Sequence, residues 1–143
     1  MDRIYPLSDS PDPYTRVYET LLQTLPLDEE RRQEAVVFVA FGAAASTRSS
    51  LATVFAEEHQ TFHDLLQTEI EAASAQGRLQ PGWAVEDAVG VIAALVNGLL
   101  LEGVNPGSRG NVRIQATLWA GLAGVVMPIG GVILLHIIQI FVQ

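Results

Sequence analysis

The chain contains no cysteine, no lysine and only three histidines among its 143 residues. Without cysteine there is no thiol nucleophile, no thiolate metal ligand and no disulfide framework, and the reducing cytoplasm is the expected location. A glycine-rich phosphate loop is missing as well, which leaves few ways to assemble an acid, a base and an electrophile. The chain is therefore expected not to be an enzyme and to need no cofactor. Ser49 and Ser50 have no nucleophile-elbow motif around them and are expected to cap a helix instead. The adjacent pairs Glu29-Glu30 and Glu57-Glu58 diverge on a helix and form no working dyad. Positive charge is scarce: eight basic residues, all arginine, stand against sixteen acidic ones, for a formal charge of -8. A field of that sign repels phosphate backbones, so the chain alone is a poor nucleic-acid binder. The opening MDRIYPLSDSPDP lacks the apolar run of a signal peptide.

What is present is a succession of helical patterns in a chain the size of one domain. Residues 1–13 collect prolines, serines and aspartates and read as a flexible lead-in. Tyr14, Val17, Tyr18, Leu21, Leu22 and Leu25 then recur at helical spacing until Pro26. Asp28 suits the N-cap of a second helix, with Glu29 and Glu30 in its first turn. The later part of that helix, Ala35 to Ala45, is apolar on every side, as for a helix surrounded by others. A third helix covers about Ser50 to Gln76 and ends at Gly77, a left-handed C-cap. One of its faces carries Leu51, Val54, Phe55, Phe62, Leu65, Leu66, Ile70 and Ala73; the other carries Glu57, Gln60, Asp64, Gln67, Thr68 and Glu71. A fourth, about Ala84 to Leu101, mixes large aliphatic residues with Gly90, Ala93, Ala94 and Gly98, small residues that let another helix approach closely. A fifth follows from about Arg109. The expected fold class is all-α, an antiparallel helical bundle of five to six helices.

Three stretches carry a family likeness: LPLDEERRQEAVVFVAF, SSLATVFAEEHQTFHDLLQTEIEAASAQGRLQPG and AVGVIAALVNGLLLEGVNP. They resemble the C-terminal regulatory domain of TetR-family transcriptional regulators over about residues 14–126. The most specific pieces are the G-x-L-x-P-G turn from Gly77 to Gly82 and the ALVNGL of Ala94 to Leu99. The resemblance implies the ligand-sensing and homodimerisation domain of a repressor, binding a small apolar or amphipathic effector. It also implies that the helices Ala84 to Leu101 and Arg109 to about Val126 pair with those of a second copy. Val89, Ala93, Val96, Asn97, Leu100, Leu118 and Leu122 would then lie at the interface. Asn97 would either bond across it and fix register or satisfy a carbonyl within the core. DNA would be reached only through the family's helix-turn-helix, to which nothing before Tyr14 corresponds.

The candidate ligand-lining residues are Phe38, Phe41, Phe55, Glu58, Phe62, Glu69 and Trp83. Glu58 and Glu69 fall within the apolar face of the third helix, where a carboxylate must be paired or hydrogen-bonded. Two readings stand. The carboxylates either select a cationic or donor-rich apolar compound, or pair with arginines, Arg31, Arg32 and Arg78 being available. Phe38, Phe41, Phe55 and Trp83 read as core residues ahead of cofactor contacts. His59 and His63, at i and i+4, could offer two imidazoles to a metal ion, but no third ligand is evident and no metal site is expected.

From Ile114 to Gln143 there is no formal charge, and Leu118 to Val142 is nearly all apolar. About 20 such residues span a bilayer. The competing reading of the whole chain is thus a membrane-tethered helical protein with a transmembrane segment over residues 118–142. Against it stand the upstream likeness and the lack of Lys or Arg flanking the far end. Otherwise residues 127–143 are an apolar helical tail to be buried against the core or an interface.

Overall fold

The computed structural model describes residues 9–105, 110–128 and 140–142. Five helices follow one another: α1 Pro13–Leu22, α2 Glu29–Ala45, α3 Ser49–Ala75, α4 Val85–Val104 and α5 Asn111–Ala123. Among the described residues there is no strand, only an isolated antiparallel bridge between Leu79 and Val126. The all-α helical bundle is as expected from the sequence. In it α4 packs against α2, α3 and α5, and α1 lies against α3 and α5.

Local chemistry starts the first two helices. Asp12 caps α1, accepting from the Thr15 amide at 3.0 Å and the Thr15 hydroxyl at 2.7 Å, and Pro13 fills the first helical position, where no N–H is needed. Tyr14, Val17, Tyr18 and Leu21 form its buried stripe. Asp28 caps α2 through the Arg31 amide at 2.8 Å, and Arg31 reaches back to the Leu22 carbonyl at 3.1 Å, tying α2 to the end of α1.

Two expectations change here. Helix α2 is not surrounded: Ala35 and Ala45 are buried, but Val37 is 63% exposed and Ala40 and Ala43 face outward. An uncharged run of alanine and valine has no polar side to reveal which face is turned away from the core. Ser49 and Ser50 do not cap α3 either. They are its first two residues, and the N-cap position falls to Arg48, which supplies no side-chain bond.

The other end of α3 closes as expected. Gly77 takes φ +68°, the Arg78 amide bonds the Ala73 carbonyl at 2.9 Å and the Gly77 amide bonds Ser74 at 3.0 Å. This paired arrangement satisfies two of the last helical carbonyls. Helix α4 extends three residues past Leu101 because Gly103 lets its last turn lie against Pro26, where a Cβ would stand 2.2 Å from the proline ring. Arg109, the expected start of the fifth helix, lies outside the described residues; α5 begins at Asn111.

The turn after α3 caps the end of α5. The Gln80 amide donates to the Val125 carbonyl at 2.7 Å, and the Met127 amide donates back to Arg78 at 2.7 Å. The Gln80 side chain reaches the Ala123 carbonyl and the Trp83 indole the Gly124 carbonyl, both at 3.1 Å. Carbonyls left over at a helix C-terminus thus find donors in a distant loop. This geometry overturns the continuous segment 118–142. Helix α5 stops at Ala123, the chain turns back to pair with Leu79, and Leu118, Leu122, Val125 and Val126 are buried in the bundle. Met127 belongs to this clasp, and residues 129–139 of the expected tail lie outside the described residues. Among the described residues, α4 is the helix long and apolar enough to cross a membrane by length and composition. It sits in the middle of the bundle, with Val89, Ile92, Val96 and Leu99 in the core.

Candidate functional site

The aromatic side chains of α2 and α3 meet in a half-buried cluster that fills the groove between the two helices. Phe38 and Phe41, one turn apart on α2, place their ring centroids 5.6 and 5.9 Å from Phe55 of α3. Gly42 permits this approach, since a Cβ there would stand 3.1 Å from the Phe55 ring. One turn along α3, His59 stacks on Phe55 with centroids 6.0 Å apart and planes at 19°, and His63 follows at 4.7 Å. Partial burial, aided by the neighbouring His63, holds the His59 pKa below its ordinary value. A neutral imidazole there offers one donor and one acceptor beside three apolar rings. That combination suits a flat apolar compound carrying one or two polar groups.

The seven expected lining residues separate into distinct places. Phe38, Phe41 and Phe55 come together. Phe62, half-buried, packs against the main core. Trp83 belongs to the clasp at the end of α5. Glu69 is held by Arg16 of α1 at 2.8 Å, an arginine outside the three considered, because α1 lies along that flank of α3. Arg31 and Arg32 pair with Asp28 and Glu29 within α2's first turn, and Arg78 with Asp12. Glu58, three turns away from Glu69, is exposed, since it stands on the edge of the apolar stripe and the ten-residue α1 does not cover it. His59 and His63 are the groove residues that the sequence weighed only as metal ligands, although they share the face of Phe55 at i+4 and i+8. Among the described residues no group of three or more His, Asp or Glu side chains could hold a metal ion.

The residues expected at an interface divide as well. Val89, Ala93, Val96 and Leu100 of α4, with Leu118 and Leu122 of α5, are buried within the chain's own core, while Asn97 is exposed. The surface available to another molecule is the opposite side of α4. There Gly90, Val91, Ala94, Asn97, Gly98 and Leu101 are exposed, Val91 by 45% and Leu101 by 60%. These positions form one stripe along the helix, apolar or small except for Asn97. Beside it Leu95 leans over Gly121 of α5, bringing the two helices close. A small open depression nearby, lined by Glu102, Arg113, Ile114 and Thr117, carries an acid and a base and suits water better than an apolar compound.

Over residues 13–126 the chain matches the family pattern of the BetI-type transcriptional repressor, C-terminal. It is also similar to the crystal structure of a transcriptional regulator from Rhodococcus sp. Rha1, with a TM-score of 0.72 and 26% sequence identity over 86% of this chain. The similarity spans 65% of that regulator's length. No curated protein matches the chain in sequence.

Proposed function

The chain belongs to the TetR-family transcriptional regulators as a C-terminal domain of the BetI-type repressor kind, and from that premise we propose that it senses a small apolar or amphipathic effector and pairs with a second copy of itself. The observation that carries this reading is the outward stripe of α4. A helix this apolar, with Val91 and Leu101 turned to solvent, leaves a surface that single subunits rarely carry unless something covers it. A second copy is the fitting occupant because Gly90, Ala94 and Gly98 let two such helices approach closely, and Asn97 among them offers a bond that fixes register. The interface thus uses the side of α4 opposite to Val89, Ala93 and Val96. The effector enters between α2 and α3, where Phe38, Phe41 and Phe55 supply apolar contact and His59 and His63 supply polar ends. Operator contact belongs to a helix-turn-helix head, which the five described helices do not supply. A regulator of this kind acts in the cytoplasm and carries out no catalytic step.

The test is the solution mass of the full chain by light scattering on a sizing column, alongside Ala94→Arg. The expected result is a dimer for the natural chain and a monomer of unchanged helicity for the variant. A natural chain that stays monomeric, or a dimer that Ala94→Arg leaves intact, would remove α4 as the pairing surface. For the groove, 8-anilinonaphthalene-1-sulfonate serves as the apolar aromatic probe. Its fluorescence enhancement should fall in Phe55→Ala and persist in Glu58→Gln.

A further inference from the structure

Helix α1 is held in two ways. Along Tyr14, Val17, Tyr18 and Leu21 its contacts are apolar and buried. At its start the hold is ionic. Arg78, in the turn after α3, places Nη1 on the Asp12 carboxylate and donates Nε to the Met127 carbonyl, just beyond α5, at 3.0 Å. One turn into α1, Arg16 donates Nε to Glu69 of α3 at 2.8 Å, and Nη1 to the carbonyls of Ser10 at 3.1 Å and Pro11 at 3.2 Å. The Asp12 carboxylate therefore both caps α1 and receives Arg78. The pair is screened from solvent, with side-chain exposures of 9% for Asp12 and 17% for Arg78.

We propose that Arg78 is a latch: its planar fork ties the start of α1 to the closed end of the bundle, and its release loosens the first turn of α1 while the rest of the domain stays folded. Three observations support a local release. The turn that presents Arg78 is fixed independently by its backbone bonds to Val125 and Met127, so the arginine can let go without moving it. A guanidinium can serve a carboxylate and a carbonyl together, which a lysine in that place could do only as a point charge. Beyond the first turn, α1 has its own hold, the buried side chains of Val17, Tyr18 and Leu21. The latch also joins three elements that are far apart in sequence at one point: the lead-in at Asp12, the α3–α4 turn and the end of α5. On the sensor-domain reading above, on which its regulatory meaning rests, this is the end through which a change in the bundle reaches residues 9–12.

The test compares the full chain with Arg78→Gln, Asp12→Asn and the double variant by residue-resolved hydrogen–deuterium exchange. Asn caps a helix about as well as Asp, so Asp12→Asn severs the ion pair and leaves the cap in place. Each single variant is expected to speed exchange at the Thr15 and Arg16 amides by roughly tenfold to a hundredfold, the equivalent of one charge-assisted hydrogen bond. Amides in the middle of α4 should not change, and the double variant should add little to either single one. Unchanged exchange at Thr15 and Arg16 in both single variants would overturn the latch. So would α4 amides that speed up in step with them, because Arg78 would then be holding the whole domain. If Arg78→Gln does not fold, that too contradicts a local release, and Asp12→Asn provides an independent reading. None of these outcomes depends on dimerisation or on an effector, so the latch and the proposed function can fail separately.

Discussion

Two glycines at helix crossings allow a direct comparison of rigid and yielding neighbours. In Gly103→Ala the new methyl stands 2.2 Å from the Pro26 ring and 3.3 Å from the tip of Ile114. Ordinary contact begins at 3.4 Å, so the methyl is 1.2 Å too close to a buried ring that has no rotamer to retreat into. In Gly121→Ala it stands 2.4 Å from one methyl of Leu95, a half-buried side chain that can swing outward. Overfilling a packed site costs about 1–3 kcal/mol, and replacing a helical glycine returns about 0.5–1 kcal/mol. Gly103→Ala should therefore lose about 2 kcal/mol, and Gly121→Ala about 1 kcal/mol or less. At about 3 °C per kcal/mol for a domain of this size, the melting points should fall by roughly 6 °C and no more than about 3 °C.

The assay is urea and thermal unfolding at one dilute protein concentration. Combining Gly121→Ala with Leu95→Ala should cost less than the two changes added, because the second removes the obstacle to the first. Equal losses at the two glycines, or a greater loss at Gly121, would refute the idea that the neighbour's freedom decides the cost. Strict additivity with Leu95→Ala would refute the identity of the obstacle.

At Arg48 the N-cap position of α3 has no side-chain acceptor, so Arg48→Ser should stabilise the chain by about 1 kcal/mol in urea unfolding. Tyr14→Phe removes the bond to the Trp119 carbonyl but keeps the ring packed between Tyr18 and Trp119; a loss of about 1–2 kcal/mol in urea unfolding is expected. Burial pushes the Asp12 carboxyl upward, but hydrogen bonds from Thr15 and Arg78 outweigh it and leave its pKa below the ordinary 3.8. A lowered carboxylate contributes stability that is fully present above that value and is lost as pH falls through the folded one. The advantage of the natural chain over Asp12→Asn in melting point should thus be constant near neutrality and shrink below about pH 4.

The helix order, the caps at Asp28 and Gly77 and the polar face of α3 could be read from the sequence because each depends on neighbours within a turn or two. The side of α4 that faces the core could not. With Val, Leu, Ala and Gly on every side, the helix carries no polar stripe, and only the placement of α2, α3 and α5 decides that Val96 points inward and Leu101 outward. The uncharged later part of α2, Ala35 to Ala45, hid its outer face for the same reason. Glu69 was correctly placed on an apolar face, but its partner Arg16 is 53 residues away, on a helix whose docking position follows from the tertiary fold alone. In the groove, Phe38, Phe41 and Phe55 were legible as large rings at helical spacing. His59 and His63 were visible as a pair, and the stacking on Phe55 that makes them groove residues was not.

The turn from Gly77 to Gly82 carries no chemistry, yet it is among the most specific pieces of the family likeness, and the structure gives a task to five of its six residues. Gly77 must take φ +68° to end α3, and Gly82 takes φ +91° to release the chain toward α4. Arg78 needs a long planar donor to reach both Asp12 and Met127. Leu79 lies at the bridge to Val126, packed against the core, and Gln80 brings both a backbone and a side-chain donor to the carbonyls after α5. These demands differ in kind: backbone freedom, ionic reach, apolar fit and amide donation. The same joint brings the end of α5, beside the proposed pairing helix, into contact with the start of α1. A turn with no catalytic residue is therefore the point where the start of α1 and the end of α5 are held together.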